Sequence, residues 1–281
     1  MQTVQDAGSL RAAVRGWRAA GQTVGFVPTM GNLHAGHFSL IRLARMRADR
    51  VVASVFVNPT QFGPNEDFDR YPRTLAQDQA GLAEHDCDLL FAPDVATMYP
   101  YGPAHTVSLR VPQITETLEG AHRPGHFDGV ATVVCKLFNL VQPDLAVFGQ
   151  KDFQQLKVIE RMVRDLSLPV KVIGAPTQRA DDGLALSSRN QYLSAEERAL
   201  APRIHATLVQ MRTLLAKGHA VAVVEQAAGA QLERAGFVPD YVAIRRAEDL
   251  MPPVVGERSA LVGLIAARLG QTRLIDNLLF D

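Results

Sequence analysis

What most constrains this chain is an alternation. Short β-branched and aromatic runs recur along its first part, each followed by a longer stretch whose apolar residues fall at helical spacing. Ser9 to Ala20 has helical periodicity and leads into GQTVGFVPT, which reads as a buried strand closed by proline. From Gly36 to Ala48 the side chains of Phe38, Leu40, Ile41, Leu43, Ala44 and Ala48 form one helical stripe, and Val51 to Val57 is again strand-like. The pattern continues with a helix Leu75–His85, a run Cys87–Ala92, a helix Val130–Val141, a strand Leu145–Phe148, a helix Phe153–Leu166 and a strand Val170–Gly174. Strands that alternate with helices in this way pack as a mostly parallel sheet covered on both faces.

After Pro176 the texture changes. The polar stretch TQRADDGLALSSRNQYLS precedes an Ala/Leu-rich helix from Ala195 to Lys217, a second helix from Val221 to Ala235, and β-like runs at Tyr241–Arg245, Ser259–Leu269 and Thr272–Phe280. The expected architecture is therefore α/β: a Rossmann-like doubly wound parallel sheet over residues 1–176, followed by a small α+β C-terminal lid domain over residues 177–281. The segment Asn58–Thr74, NPTQFGPNEDFDRYPRT, is long and turn-rich and follows a strand, which puts it at the carboxyl edge where open α/β sheets bind ligands.

Bulk composition narrows the function classes. Lys plus Arg equals Asp plus Glu at 29 each, so the basic excess of a protein held mainly by nucleic-acid phosphates is missing. A local basic pocket is compatible with that balance. Cys87 and Cys135 lack the paired spacing of a zinc site and read as buried thiols of a reducing compartment. The first residues, MQTVQDAGSLRAAVRGW, contain no apolar signal core, and no window approaches the roughly 18 apolar residues of a membrane span. A cytoplasmic location with no membrane partner is expected.

Chemistry-bearing residues cluster in a few strand-to-helix junctions. In PTMGNLHAGH, Gly31 permits a tight turn and Gly36 a close approach at the start of a helix, whose free N–H groups and positive dipole end attract anions. His34 and His37 face one way there and add donors. Taken alone the pair suits an anion site, a metal pair or an ordinary surface turn. In FGQKDFQQ, Gly149 frees the backbone, Lys151 is a point charge suited to phosphate, and Asp152 fits a helix cap or a ribose hydroxyl. In LSSRN the hydroxyls of Ser187 and Ser188 lie beside Arg189, whose guanidinium binds two oxygens at once; a solvated ST-turn is the bland alternative.

Taken in order, PTMGNLHAGH, FVNPTQF, GQKDFQQ and LSSRN resemble the motif set of the pantoate–β-alanine ligases. HxGH is similar to the signature of the wider nucleotidyltransferase superfamily, and SSR to its lysine-serine loop. The resemblance implies an ATP-dependent ligase. Pantoate carboxylate would attack the α-phosphate of ATP, and the amine of β-alanine would then displace AMP from pantoyl adenylate to give pantothenate. It also implies an accompanying Mg2+ ion and a homodimer formed through the amino-terminal domain.

By the same resemblance, Met30, Gly31, Asn32, Leu33, His34, Ala35, Gly36 and His37 contact ATP, together with Gly149, Gln150, Lys151, Asp152, Gln178, Leu186, Ser187, Ser188 and Arg189. Gln61 and Gln155 contact pantoate, and Gln61 also β-alanine. His37, His34, Lys151 and Arg189 carry the catalysis as donors to the phosphates, His37 standing where the family has its proton donor, a place that a ring which only hydrogen-bonds to the phosphates would also fill. Gln150 stands where the family has glutamate, and Gln178 where it has an apolar residue. Asp78 or Asp67 is a candidate contact for Mg2+, but that ion commonly keeps water and substrate phosphates as ligands, so no protein ligand is assigned.

Rival readings ask for other features. A cytidylyl- or adenylyltransferase with a phosphate acceptor needs a further cation where NPTQF and DFQQ offer amides. An aminoacyl-tRNA synthetase needs a longer, basic tail. A non-catalytic nucleotide- or metal-binding regulator has no need of Lys151 and Arg189 together.

Overall fold

The structure is a computed structural model that describes residues 1–63 and 68–280. Its larger sheet has six parallel strands in the order β1-β4-β3-β2-β5-β6. These are β1 (Gln2–Val4), β2 (Val24–Thr29), β3 (Arg50–Val55), β4 (Leu89–Phe91), β5 (Leu145–Gly149) and β6 (Lys171–Ala175). The chain winds from β2 outward to β3 and β4, then returns to place β5 on the other side of β2. The sheet's switch point therefore lies between β2 and β5, and the loops leaving their carboxyl ends flank one crevice.

Period-two side chains explain why both faces are covered. Val24, Phe26, Val52, Phe91, Ala146 and Phe148 pack on α1 (Ala7–Ala19), α6 (His126–Val141) and α7 (Phe153–Asp165). Val27, Val51, Ala53, Leu90, Leu145 and Val147 face α2 (Ala35–Arg45) and α3 (Leu75–Glu84) instead. Helix α6 buries Val130, Val133, Val134, Leu137 and Phe138, so its apolar length serves the core.

Departures from the sequence reading have local causes. β1 is a three-residue edge strand, too short to show a period, and the helical turns α4 (Val95–Met98) and α5 (Glu119–His122) are likewise below the length at which periodicity is visible. The single helix expected over Ala195–Lys217 is two: α8 (Ala195–Leu200), opened by a Ser194/Glu197 capping box, and α9 (Arg203–Ala216), which restarts after Pro202. Proline has no N–H to continue the ladder.

After α10 (Val221–Arg234) come β7 (Phe237–Arg246), β8 (Leu261–Leu269) and β9 (Thr272–Phe280), an antiparallel sheet in that order. One face buries Ile244, Ile265 and Leu274 against Leu208 of α9 and Leu232 of α10. From the other face Ala243, Val262 and Leu264 join the core of the larger sheet. Burial on both faces accounts for the nearly unbroken apolar run of β8.

Candidate active site

The loop from β2 to α2 is built around a buried carboxylate. Asp78 on α3 is 2% exposed. Its Oδ2 accepts the N–H of Asn32 at 3.1 Å and its Oδ1 that of Leu33 at 2.8 Å, while the Thr74 hydroxyl donates to both oxygens. Asn32 sits in the left-handed region at φ 52°, and Gly31 at φ 86° has no room for a Cβ, which would fall 3.0 Å from both Asp78 Oδ2 and Val55 Cγ1. Asp78, weighed from sequence as a metal contact, is thus spent on shaping the loop. Asp67 lies outside the described residues.

The HxGH spacing has a physical cause. His34 caps α2 with extended backbone, and its Nδ1 accepts the N–H of Gly36 at 3.2 Å. His37 Nδ1 in turn accepts the N–H of His34 at 3.3 Å, closing a capping box made of imidazoles. The rings lie 4.2 Å apart. A Cβ on Gly36 would fall 2.9 Å from His34 Cε1, so glycine is required for the ring to fold over the helix start. With both Nδ1 atoms accepting, each ring carries its proton on Nε2 and is a neutral donor. Burial is the largest cause holding the His37 pKa down to about 3, from 6.5, with His34 next; His34 is lowered by burial and by Lys151.

Gln61 ends a short 3-10 turn after β3 and is fixed on every side. Its Nε2 donates to Met30 Sδ at 3.0 Å, and its Oε1 accepts from Asn58 Nδ2 at 3.2 Å. His126 Nδ1 stands 2.8 Å from its backbone carbonyl, to which Arg123 also donates at 3.3 Å. Asn58, only 1% exposed, accepts from the Tyr99 hydroxyl at 2.7 Å and donates to Gly129 O at 3.2 Å. On α7 the adjacent glutamines divide the work. Gln154 is buried, tying down Glu119 N, Ile114 O and Thr117 O, whereas Gln155 faces the cleft.

These groups enclose a cavity of about 240 Å³ at the switch point. Met30, His34, Gly36, His37, Gln61, Gly149, Lys151, Asp152, Gln155, Gln178, Leu186, Ser187, Ser188 and Arg189 line it. Gly31, Asn32, Leu33 and Ala35 do not; they form the loop and helix start behind it. Gln150 turns away, with its side chain against Gly174. A second cavity of about 600 Å³ opens next to it toward β9 and shares Lys151, Asp152, Gln155, Ser187 and Arg189. The sequence reading missed Asn58, Arg123 and His126 as supports for Gln61. The signal was faint: a histidine one residue after a glycine, Gly125, that opens α6 in the left-handed conformation.

Neutral imidazole donors, a lysine, a serine pair and an arginine gathered at the switch point of a parallel sheet define a nucleotide-dependent enzyme of the Rossmann-like class. Comparison with known proteins specifies it. The pantoate-beta-alanine ligase family model matches residues 2–279. A pantothenate synthetase of Stutzerimonas stutzeri is 60% identical, the match covering 100% of this chain and 98% of the relative. One from Xanthomonas oryzae pv. oryzae is 58% identical with both chains covered in full. Among solved structures, pantothenate synthetase from Thermus thermophilus superposes with a TM-score of 0.92 at 51% identity over 99% of each chain. A pantoate-beta-alanine ligase from Francisella tularensis, complexed with beta-gamma ATP and beta-alanine, gives 0.83 at 34% identity, covering 99% of this chain and 97% of that one. The chain belongs to the pantoate-beta-alanine ligase family.

Proposed function

We propose that this cleft adenylates pantoate with ATP and passes the pantoyl group to β-alanine. A carboxylate oxygen of pantoate attacks the α-phosphorus, the bond to the bridging oxygen breaks and pyrophosphate departs; the amine of β-alanine then attacks the acyl carbon and AMP leaves. Negative charge grows on phosphoryl oxygens in the first step, and the protein's part is to meet it with fixed donors. His34 and His37 supply Nε2–H groups at the amino end of α2, where the helix dipole adds to them. Lys151, Ser187, Ser188 and Arg189 close round the phosphates from the other side. Met30 to His37, Gly149 to Asp152, Gln178 and Leu186 form the rest of the nucleotide wall, Gln178 through its backbone. Gln61 and Gln155 grip pantoate with uncharged amides, and Gln61 reaches β-alanine as well.

The observation that carries this reading is the convergence of the imidazole pair, Lys151, Arg189 and both cleft-facing glutamines on one cavity at the switch point. The residues fit a Mg2+ ion that arrives with the nucleotide. Among the described residues no group of three His, Cys, Asp or Glu side chains could hold a metal, and Asp152 is the carboxylate lining the cavity, available to such an ion or to a ribose hydroxyl. When bound, Mg2+ neutralises phosphate charge.

In this reading residues 1–176 bind the nucleotide and pantoate, and residues 177–281, seated on them through Ala243, Val262 and Leu264, serve as the lid that keeps an acyl adenylate from water, with the loop Asn58–Thr74 as the other segment that would close. The protein works as a homodimer in the cytoplasm. Since α6 is spent on the core, the exposed Tyr101 and Val107 are apolar groups of the larger unit available for dimer contacts. Free thiols at Cys87 and Cys135 suit a reducing compartment, and no helix among the described residues is long and apolar enough to cross a membrane. Incubation of the purified protein with ATP, Mg2+, pantoate and β-alanine should give AMP and pantothenate in equal amounts. If AMP fails to form while a known ligase succeeds in the same mixture, the assignment is wrong.

A further inference from the structure

Two phosphate-facing loops, the turn 150–152 and the stretch 187–189, arrive from different parts of the chain, yet both are tied to neighbouring residues of β9. The side-chain amide of Asn277 donates to the carbonyls of Gln150 at 2.9 Å and Lys151 at 2.7 Å. Asp276 takes the guanidinium of Arg179 with both oxygens, at 2.6 and 2.9 Å, and Arg179 donates further to Gly183 O and Asn277 O. Arg179 lies in a small hairpin held by its bridge to Ala185 and by Leu186 N–H donating to Gln178 O at 2.9 Å; the hairpin leads directly into Ser187. Asp276 and Asn277 are 5% and 6% exposed and are fixed in register against Ile265 and Leu264 of β8.

We infer that Asn277 is a positioning residue for Lys151, and that with Asp276 and Arg179 it braces the lysine turn and the Ser187–Arg189 loop at a set separation. Neither motif encodes that separation by itself. β9 does, because one peptide unit of a rigid strand carries both ties. The choice of side chains follows from the job. Asn277 must donate twice to carbonyl oxygens without bringing negative charge beside the phosphates, which an amide does and a carboxylate does not. The bidentate pair of Arg179 and Asp276 fixes orientation as well as distance. This inference rests on the reading of the cleft as an adenylation site.

The test separates the half-reactions. In Asn277→Ala, pyrophosphate release from ATP and pantoate should fall about 10- to 100-fold, the scale of an ångström-sized misplacement of a catalytic group. Aminolysis of supplied pantoyl adenylate by β-alanine should stay near the wild-type rate. Asn277→Ser, which keeps one donor, should fall between, and it serves if the alanine variant does not fold. Because Asn277 acts through Lys151, adding Asn277→Ala to Lys151→Ala should cost little beyond Lys151→Ala alone. Full additivity in that pair, or an equal drop of both half-reactions with the melting temperature, overturns the brace and leaves Asn277 a structural residue. Should wild-type protein release no pyrophosphate, the site reading falls and this inference with it; an active wild type with an unaffected Asn277→Ala removes the brace alone.

Discussion

Replacing Asp78 by Asn tests whether a residue behind the cleft governs what happens inside it. The swap keeps volume and burial but turns one acceptor oxygen into an N–H2 group facing a backbone N–H, that of Asn32 or of Leu33, now 3.1 and 2.8 Å from the carboxylate. Hydrogen bonds to charged groups contribute about 1.5–3 kcal/mol each, and a buried donor left unpaired costs about 1–3 kcal/mol, so the variant should lose about 2–4 kcal/mol. A domain of ordinary stability, about 5–15 kcal/mol, survives that loss. The loop does not survive it unchanged. Asn32 is kept at φ 52° by these bonds, and release lets the backbone before His34 relax, shifting the imidazole cap. A displacement of about 1 Å there should slow pyrophosphate release about 100-fold. The assay is single-turnover adenylation with ATP and pantoate at saturating Mg2+, alongside denaturant unfolding. A variant that loses stability yet adenylates within about threefold of wild type would refute the coupling of α3 to the histidine loop. A defect seen at limiting Mg2+ that vanishes at saturating Mg2+ would refute it differently, by making Asp78 a metal contact.

Further consequences follow from the imidazole pair. His37→Ala should slow adenylation by about 10²–10³-fold, the cost of losing one charge-stabilising donor, as read from pyrophosphate release; a normal rate would show that its role lies elsewhere. Because the folded state holds His37 neutral down to about pH 3 while the unfolded chain takes up a proton near 6.5, burial of this ring costs nothing above that pH and destabilises progressively as pH falls through the window. Unfolding free energies of wild type and His37→Gln measured across the window should therefore diverge, the variant's slope being shallower by at most about 1.4 kcal/mol per pH unit; parallel slopes would mean that His37 is protonated in the fold.

The larger sheet was legible because each of its longer strands carries enough β-branched and aromatic residues to reveal itself and each crossover helix a full apolar stripe. Elements below that length left no signal, as with β1 and α5, and Pro202 broke a helix whose composition read as continuous. For the site, the sequence displayed many of the residues that line the cavity, since most of these sit in or beside glycine-marked turns. It did not display what holds them. Asn58 looked like one polar residue of a loop, Asp78 like a candidate metal contact and Asn277 like the polar step of a strand, because each has a backbone partner far away along the chain: Gly129 for Asn58 (71 residues), Leu33 for Asp78 (45 residues) and Lys151 for Asn277 (126 residues). Backbone donors and acceptors have no sequence signature.

That division bears on how the histidines work. An imidazole poised to transfer a proton would be expected to titrate near the working pH, with one nitrogen free to release its proton and regain it. Here burial and the neighbouring ring push His37 far below that range, and Nδ1, which would have to take up a proton to make the ring an imidazolium acid, is held as an acceptor in the cap of α2. In the proposed adenylation the remaining Nε2–H therefore serves as a fixed dipole rather than an acid. Adenylation asks for that: the departing pyrophosphate needs no proton if Lys151, Arg189 and the helix end already meet its charge, and a neutral donor stabilises the growing negative charge without first repelling those cations. On that proposal the capping box belongs to the chemistry, since it selects the tautomer, and the glycine between the histidines is what leaves room for it.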